Sequence, residues 1–276
     1  MTHCQKFAAP RLALAATIGL FGACLPAFAL EAPDVLGVRP GMPMDEAIAI
    51  LKRHNPKLDV YPRPGPSMLL PGVDFSDGVN LRNFNQSENI DLMVAMAPNA
   101  KIVWGLRRGV SFAEDGRPTV TNVIAALRQK YGKEAGSLQQ PASVQAAGVE
   151  LLDAYWVFDD AGQRVPPAAA RDYAQLCRGA YTPGSDAGGL VSPGRATALL
   201  PGGVRCDRWT FIQASWQPTP LGSSMTPGLI MTMTTTLGNG ALHGKTYAAS
   251  VAMIENAARE QQNREKRAAE AVKPAL

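Results

Sequence analysis

The sequence predicts an α+β protein, with an antiparallel sheet, short helices on one face of it and a long C-terminal helix. Two short segments repeat apolar residues with the period of a helix, and several others alternate apolar and polar residues with the period of a strand. The last 30 or so residues have one continuous helical pattern. The 26 glycines and 22 prolines argue against a helical bundle.

Residues 1–29 have the features of a secretory signal peptide. A basic start precedes the apolar run Leu12–Leu25, and Ala27 and Ala29 supply the small residues that a signal peptidase recognises. The apolar run is too short to span a bilayer, which needs about 20 residues. We therefore expect cleavage between Ala29 and Leu30, and a mature protein that is periplasmic or secreted.

An alternative for the same segment is lipidation of Cys24. Phe21-Gly22-Ala23-Cys24 resembles a bacterial lipobox, although that pattern prefers Leu where Phe21 stands. Lipidation would make the protein a membrane-anchored lipoprotein, because a lipid chain anchors a protein without spanning the bilayer.

The charge balance argues against a nucleic-acid partner. The chain has a formal net charge of +4, and removal of Lys6 and Arg11 with the signal peptide reduces it to +2. So small an excess gives no electrostatic footprint for nucleic acid. No later stretch has the length and apolar character of a transmembrane segment.

Two cysteines remain after processing, Cys177 and Cys206, and we expect them to form a disulfide. An oxidising periplasm favours pairing of two such thiols. The sequence between them is rich in Gly and Pro and has no hydrophobic period, so a bridge would stabilise a segment that lacks a core of its own. A redox pair would have Cys-x-x-Cys spacing, which is absent.

Residues 30–244 are expected to form the globular domain, which begins with a short helix. Met44, Ala47, Ile48 and Leu51 lie on one helical face, and Asn55-Pro56 ends the helix. A second helix is predicted from about Thr119, a suitable cap, to Tyr131, with Gly132 closing it.

Five segments have the pattern of strands. Ile90–Met96 and Ile102–Phe112 alternate in polarity, and Pro98-Asn99 between them favours a hairpin. The remaining candidates are Val149–Phe158, Arg205–Trp216 and Leu229–Leu237.

Residues 245–276 are predicted to form a helix with an exposed polar tail. Its first part carries an apolar stripe for docking on the sheet, made by Tyr247, Val251, Ile254 and Ala258. Beyond Glu260 the helix is polar on every side, with a Glu260–Arg264 pair at i,i+4 spacing. We expect this end to be solvated; the alternative is a partner-binding helix.

A weak internal repeat relates the two short helices. Ile48, Leu51 and Lys52 match Ile124, Leu127 and Arg128 at an offset of 76 residues. Coincidence and duplication explain so short a match equally well. Under duplication, the halves 30–115 and 116–244 would each be a helix packed on an antiparallel meander.

One segment resembles a known family. Gly37-Val38-Arg39-Pro40-Gly41-Met42, followed by Asp45-Glu46 and the first helix, is similar to the opening of small SmpA/OmlA-type outer-membrane-assembly lipoproteins. Those are similar in turn to the repeats of β-lactamase inhibitory protein. In that pattern a Ser or Thr caps the helix where Pro43 stands here. The resemblance covers about 20 residues and implies an envelope helix-on-sheet module with a non-enzymatic interaction role.

The sequence contains no recognisable catalytic, cofactor-binding or metal-binding motif. Only His54 and His243 remain after processing, and neither belongs to a zinc or serine-nucleophile pattern. We expect His54 to lie at the negative end of the first helix and His243 to lie in a loop. Asp159-Asp160, followed by Ala161-Gly162, is expected to form a turn.

The four tryptophans all fall in strand candidates and are expected in the core. Aromatic residues in a sheet can also form a sugar- or peptide-binding face, and Trp156 and Trp209 are the best candidates for exposure.

The sequence therefore predicts an exported envelope protein that acts without catalysis or cofactor, as an interaction or structural module. An envelope protein or a peptidoglycan-type partner would bind through the sheet or the disulfide loop. Two alternatives are a periplasmic hydrolase whose polar groups the fold brings together, and a small-ligand carrier with an apolar pocket. The sequence makes no prediction of oligomeric state.

Overall fold

The computed structural model describes residues 32–63, 70, 72–85, 87–138, 152–177, 205–218 and 228–271. The predicted signal peptide, its cleavage site at Ala29–Leu30 and Cys24 lie outside these residues, as does most of the segment between the two cysteines. The predictions of export and of lipidation therefore stay predictions.

An antiparallel sheet forms the centre of the protein, as predicted; in the described residues it has seven strands, and two of them, at residues 59–63 and 78–82, were not among the five strand candidates. In chain order its strands are β1 (Asp59–Arg63), β2 (Gly78–Arg82), β3 (Glu88–Val94), β4 (Val103–Ser111), β5 (Asp153–Phe158), β6 (Thr210–Pro218) and β7 (Ile230–Asn239). Across the sheet they lie in the order β1-β2-β3-β4-β7-β6-β5.

The last strand of each half of the sequence lies at the centre of the sheet. β1 to β4 run from one edge inward, β5 to β7 run inward from the other edge, and β4 pairs with β7 so that Leu106 lies opposite Leu237. Each half is thus a helix followed by antiparallel strands.

Two short helices cover one face of the sheet, α1 (Met44–His54) and α2 (Val120–Tyr131). Their apolar stripes bury Leu51 and Ile124 against alternate residues of the strands, among them Ile90, Leu92 and Trp156. Burial of each large side chain of this kind stabilises the fold by about 1.5–3 kcal/mol. This layer is the larger of the two hydrophobic clusters that the described residues form.

The starts of these helices are capped in different ways. Thr119 caps α2 as predicted, because its hydroxyl oxygen accepts a hydrogen bond from the backbone N–H of Asn122. Pro43 precedes α1 and makes no side-chain cap. Instead, the backbone N–H of Met44 donates to the carbonyl of Lys101 (2.9 Å), next to the β3–β4 hairpin turn. This backbone hydrogen bond thus takes the place of the side-chain cap that a Ser or Thr would provide.

A third short helix, α3 (Pro167–Cys177), packs on the opposite face of the sheet and was not predicted. It buries Ala170, Tyr173, Ala174 and Cys177 against β5 and β6, including Tyr155 and Phe211. The bond between Cys177 and Cys206 is present and ties the end of α3 to the segment before β6.

The long helix α4 covers Gly240–Ala271 and begins before the predicted start at Lys245. Residues 258–270 are exposed throughout, as expected of the polar tail, and Glu260 pairs with Arg264 (3.8 Å). The docking face differs from the prediction, because Thr246 and Ser250 are buried, whereas the predicted stripe is only partly buried or exposed. In the part of the chain that the structure describes, no helix is long and apolar enough to cross a membrane.

Candidate functional site

The sheet presents a polar surface on the side opposite α1 and α2. Side chains of a strand alternate between the two faces, so the residues between core positions project to this side. They are Asn80, Arg82, Asn89, Asp91, Arg107, Gln213, Ser215, Gln217, Thr232, Thr234 and Thr236, and we call this set the polar face. All but Asn80 are partly or fully exposed.

The polar face is arranged in rows that cross the strands. In one row Asp91 lies opposite Arg107, Arg107 opposite Thr236, and Thr236 opposite Gln213. In the next row Gly109, which has no side chain, lies opposite the small side chain of Thr234 in the middle of the sheet. The face therefore has a hydrogen-bonding surface of small, mostly uncharged groups at its centre.

Charged groups on the polar face are few. Asp91 accepts a hydrogen bond from Asn80 (2.5 Å), and no residue of the described ranges forms an ion pair with Arg107. Arg107 thus offers hydrogen-bond donors to a ligand on this side of the sheet.

A second surface feature is a cleft of about 690 Å³ beside the disulfide. Its lining consists of Asp159, Asp160, Ala161, Arg205, Asp207, Arg208, Trp209 and Ala241, and we call it the disulfide cleft. These residues come from the turn after β5, the segment on either side of Cys206 and the first turn of α4. Its volume lies within the range of about 300–1,000 Å³ typical of ligand pockets.

Hydrogen bonds within the protein hold the walls of the disulfide cleft in place. The Tyr173 hydroxyl lies 3.0 Å from the carbonyl oxygen of Cys206 and 3.1 Å from that of Trp209. The backbone N–H of Gly240 also donates to the Trp209 carbonyl (3.0 Å). Together with the disulfide, these bonds fix a segment that has no regular secondary structure.

Two of the carboxylates in the disulfide cleft are engaged within the protein. Arg205 donates two hydrogen bonds to Asp207, and these hold the pKa of Asp207 below its ordinary value although burial opposes them. Asp159 accepts from the backbone N–H groups of Ala161 (3.0 Å) and Gln163 (2.8 Å), which confirms the predicted turn. Asp160 is exposed.

Sequence reasoning identified His54 but missed the carboxylate that it contacts. The nearly buried Glu88 lies 3.2 Å from His54 Nε2 and accepts hydrogen bonds from Asn55 (2.8 Å) and Arg108 (2.6 Å). Burial acts to raise the pKa of Glu88, but the hydrogen bonds from Asn55 and Arg108 outweigh it and lower that pKa. The cluster ties the end of α1 to β3 and β4.

His243 was predicted to lie in a loop, and that prediction is wrong. It lies in the first turns of α4, nearly buried, with its ring centroid 4.1 Å from that of Trp104. Its Nδ1 has no hydrogen-bond partner among the described residues. Burial lowers the pKa of His243 to about 4.

The tryptophans divide between core and cleft. Trp104, Trp156 and Trp216 are buried, as the core interpretation predicts. The expectation of exposure is wrong for Trp156, because β5 is covered on both faces and the indole donates to the Gly132 carbonyl. Trp209 is partly exposed and lines the disulfide cleft.

One further polar cluster had no signal in the sequence. The fully buried Asp153 accepts hydrogen bonds from the Ser137 hydroxyl, the Leu138 backbone N–H and the Gln213 side chain. It holds the segment before residue 139 against β5 and β6. No set of three or more His, Cys, Asp or Glu within the described ranges is arranged to hold a metal ion.

Comparison with known proteins finds no significant match to a family model, to a curated sequence or to a solved structure.

Proposed function

We propose that the mature chain is an exported envelope protein that acts as a non-catalytic binding module, and that its polar face binds a peptidoglycan-type glycan. The observation that carries this proposal is the two neighbouring rows of hydroxyl and amide side chains across the centre of the sheet, exemplified by Thr236 and Gln213 in one row and Thr234 in the next.

The composition of the polar face favours a glycan over a protein partner. Protein–protein interfaces are enriched in aromatic residues and depleted of serine at their cores. Here the partly exposed central positions carry Thr, Ser, Gln and Asn, which match the hydroxyl and acetamido groups of a sugar chain. Arg107 and Asp91 lie in the same surface and can pair with the charged groups of attached peptides.

The width of the polar face supports the binding of a polymer rather than of a single small molecule. Its side chains come from five neighbouring strands, β2, β3, β4, β7 and β6. With about 4.8 Å between strands, four intervals span roughly 19 Å. Such a width allows contact with more than one sugar ring.

Two further features support an envelope location. The signal-peptide pattern at residues 1–29 directs export, and the Cys177–Cys206 disulfide is the kind of bond that persists in an oxidising compartment. Both agree with the role implied by the Gly-Met resemblance at residues 37–42.

Co-sedimentation of purified mature protein with insoluble peptidoglycan tests this proposal. We expect the protein to pellet with the polymer in a saturable manner and to be released by soluble peptidoglycan fragments. Failure to pellet, combined with in-cell cross-linking to one envelope protein, would overturn the glycan assignment and point to the protein partner. Turnover on a hydrolase panel would contradict the non-catalytic role.

A further inference from the structure

We infer that the disulfide cleft is a second binding site, which takes a small zwitterionic ligand with an ammonium group at one end and a carboxylate group at the other, as in a short peptide. This inference concerns a surface separate from the polar face. It does not require the polar face to bind glycan.

Three of the five charged residues that line the disulfide cleft are already engaged within the protein. Arg205 and Asp207 neutralise each other through two hydrogen bonds, and Asp159, which keeps its negative charge, accepts hydrogen bonds from two backbone N–H groups of its turn. The remaining charged residues of the lining are Asp160 and Arg208, and both are exposed. Among the described residues, Asp160 and Arg208 are therefore the anion and the cation of the lining that no hydrogen bond within the protein engages.

Arg208 is held in an orientation that leaves its donors available. Its guanidinium lies over the indole of Trp209, 5.1 Å from the ring centroid, and within the described ranges no residue accepts a hydrogen bond from it. A guanidinium pairs with a carboxylate through two parallel hydrogen bonds. Arg208 is thus the group that would bind the carboxylate of the ligand.

The start of α4 also favours binding of a carboxylate in the disulfide cleft. Ala241 in its first turn lines the disulfide cleft, and α4 is a helix of 32 residues. The N-terminal end of a helix carries a partial positive charge that favours anions within its first turn. Asp160, on the turn after β5, would bind the ammonium group.

The cleft also provides an apolar contact between these charges. Trp209 is fixed by its carbonyl bonds and by Tyr173, whose ring centroid lies 5.3 Å away. The part of the indole that remains accessible can pack against a small apolar side chain. Because the disulfide and Tyr173 already hold the walls of the cleft, the protein loses little conformational entropy when a ligand binds.

Titration of the whole mature protein with three dipeptide probes tests the inference. Unmodified Ala-Ala carries both charges, N-acetyl-Ala-Ala lacks the ammonium, and Ala-Ala amide lacks the carboxylate. We expect chemical-shift changes at Trp209 with millimolar Ala-Ala, and about tenfold weaker binding of each blocked probe, since one charge-assisted contact is lost.

Charge-neutralising variants assign the two contacts. The Asp160→Asn variant lacks the partner of the ammonium, so it should bind Ala-Ala and N-acetyl-Ala-Ala with similar affinity. The Arg208→Gln variant lacks the partner of the carboxylate, so it should bind Ala-Ala and Ala-Ala amide with similar affinity. Asp115→Asn and Arg53→Gln, which change exposed charges elsewhere, are matched controls and should keep wild-type discrimination.

No shift at Trp209 with any probe, equal binding of all three probes, or unchanged discrimination in both cleft variants would overturn the inference. Sedimentation of the cleft variants with peptidoglycan separates the two proposals. If the polar face binds the glycan, the cleft variants should sediment with peptidoglycan as the wild type does, whether or not they bind the dipeptides.

Discussion

The imidazole of His243 packs against the indole of Trp104, with the two ring centroids 4.1 Å apart, at the base of the long helix α4. This contact places a titratable group in the hydrophobic layer between α4 and the sheet. It couples the docking of the helix to pH, because only the neutral imidazole is compatible with burial there.

The pKa of His243 predicts acid destabilisation. In the folded protein this pKa is about 4, against 6.5 for the ordinary group, so the unfolded state takes up a proton first as the pH falls. The contribution of His243 to the free energy of unfolding is complete above pH 6.5. It declines as the pH falls from about 6.5 to 4, and the free energy of unfolding decreases by about 3 kcal/mol in all. Urea unfolding of wild type and His243→Phe at several pH values checks this. Equal pH slopes for the two proteins in this window would contradict it.

The Glu88 cluster predicts a contrast between two neighbouring arginines. Arg108→Met removes a partner of the nearly buried Glu88 carboxylate and should destabilise the fold by about 2–3 kcal/mol. Arg107→Met, on the opposite face of the same strand, is the matched control and should cost less than about 0.5 kcal/mol. Denaturant unfolding measures both.

The double variant Glu88→Gln with Arg108→Met separates pairing from packing. It should recover part of the stability lost in Arg108→Met, because a neutral amide is less costly to leave near apolar surroundings than a carboxylate. A double variant less stable than the sum of the single changes would contradict the pairing.

The disulfide predicts a measurable loss of stability on reduction. Cys177 and Cys206 are 29 residues apart, and closing such a loop stabilises a fold by about 3–4 kcal/mol in the chain-entropy model. Reduced wild type and Cys177→Ala with Cys206→Ala should share a lowered thermal midpoint. Free thiols in exported protein would overturn the structural assignment.

The N-terminus of exported protein should begin at Leu30, because Ala27 and Ala29 fit signal peptidase. Intact-mass spectrometry of the periplasmic fraction measures this directly. A diacylated Cys24 at the N-terminus would establish the anchored alternative instead.

Elements with a strong period and clear end signals could be predicted from the sequence. The first two helices, the β3–β4 hairpin and β7 fall in this group, because each combines apolar alternation or a helical stripe with Pro, Gly or a cap at its ends. β1 had no such signal, since its five residues include Pro62 and are mostly exposed. α3 was missed because alanines supply half of its buried stripe.

The candidate sites were less accessible to sequence reasoning because distant segments form them. The disulfide cleft joins Asp160 to Arg208 and Ala241, whose proximity depends on strand order. His243 was assigned to a loop because Gly240 and Gly244 argue against a helix there. In the structure Gly244 is needed, since a Cβ at that position would lie 2.6 Å from Asp207 Cβ.

The most direct test of the polar face is the affinity of Thr234→Val with Thr236→Val for peptidoglycan, measured by depletion from solution. Valine keeps the shape and strand preference of threonine but removes the hydroxyl, so the fold should persist. The control is Thr235→Val, whose side chain is buried on the other side of the same strand. We predict at least about tenfold weaker binding for the double variant and wild-type binding for the control. Equal binding by all three proteins would contradict the assignment of the polar face.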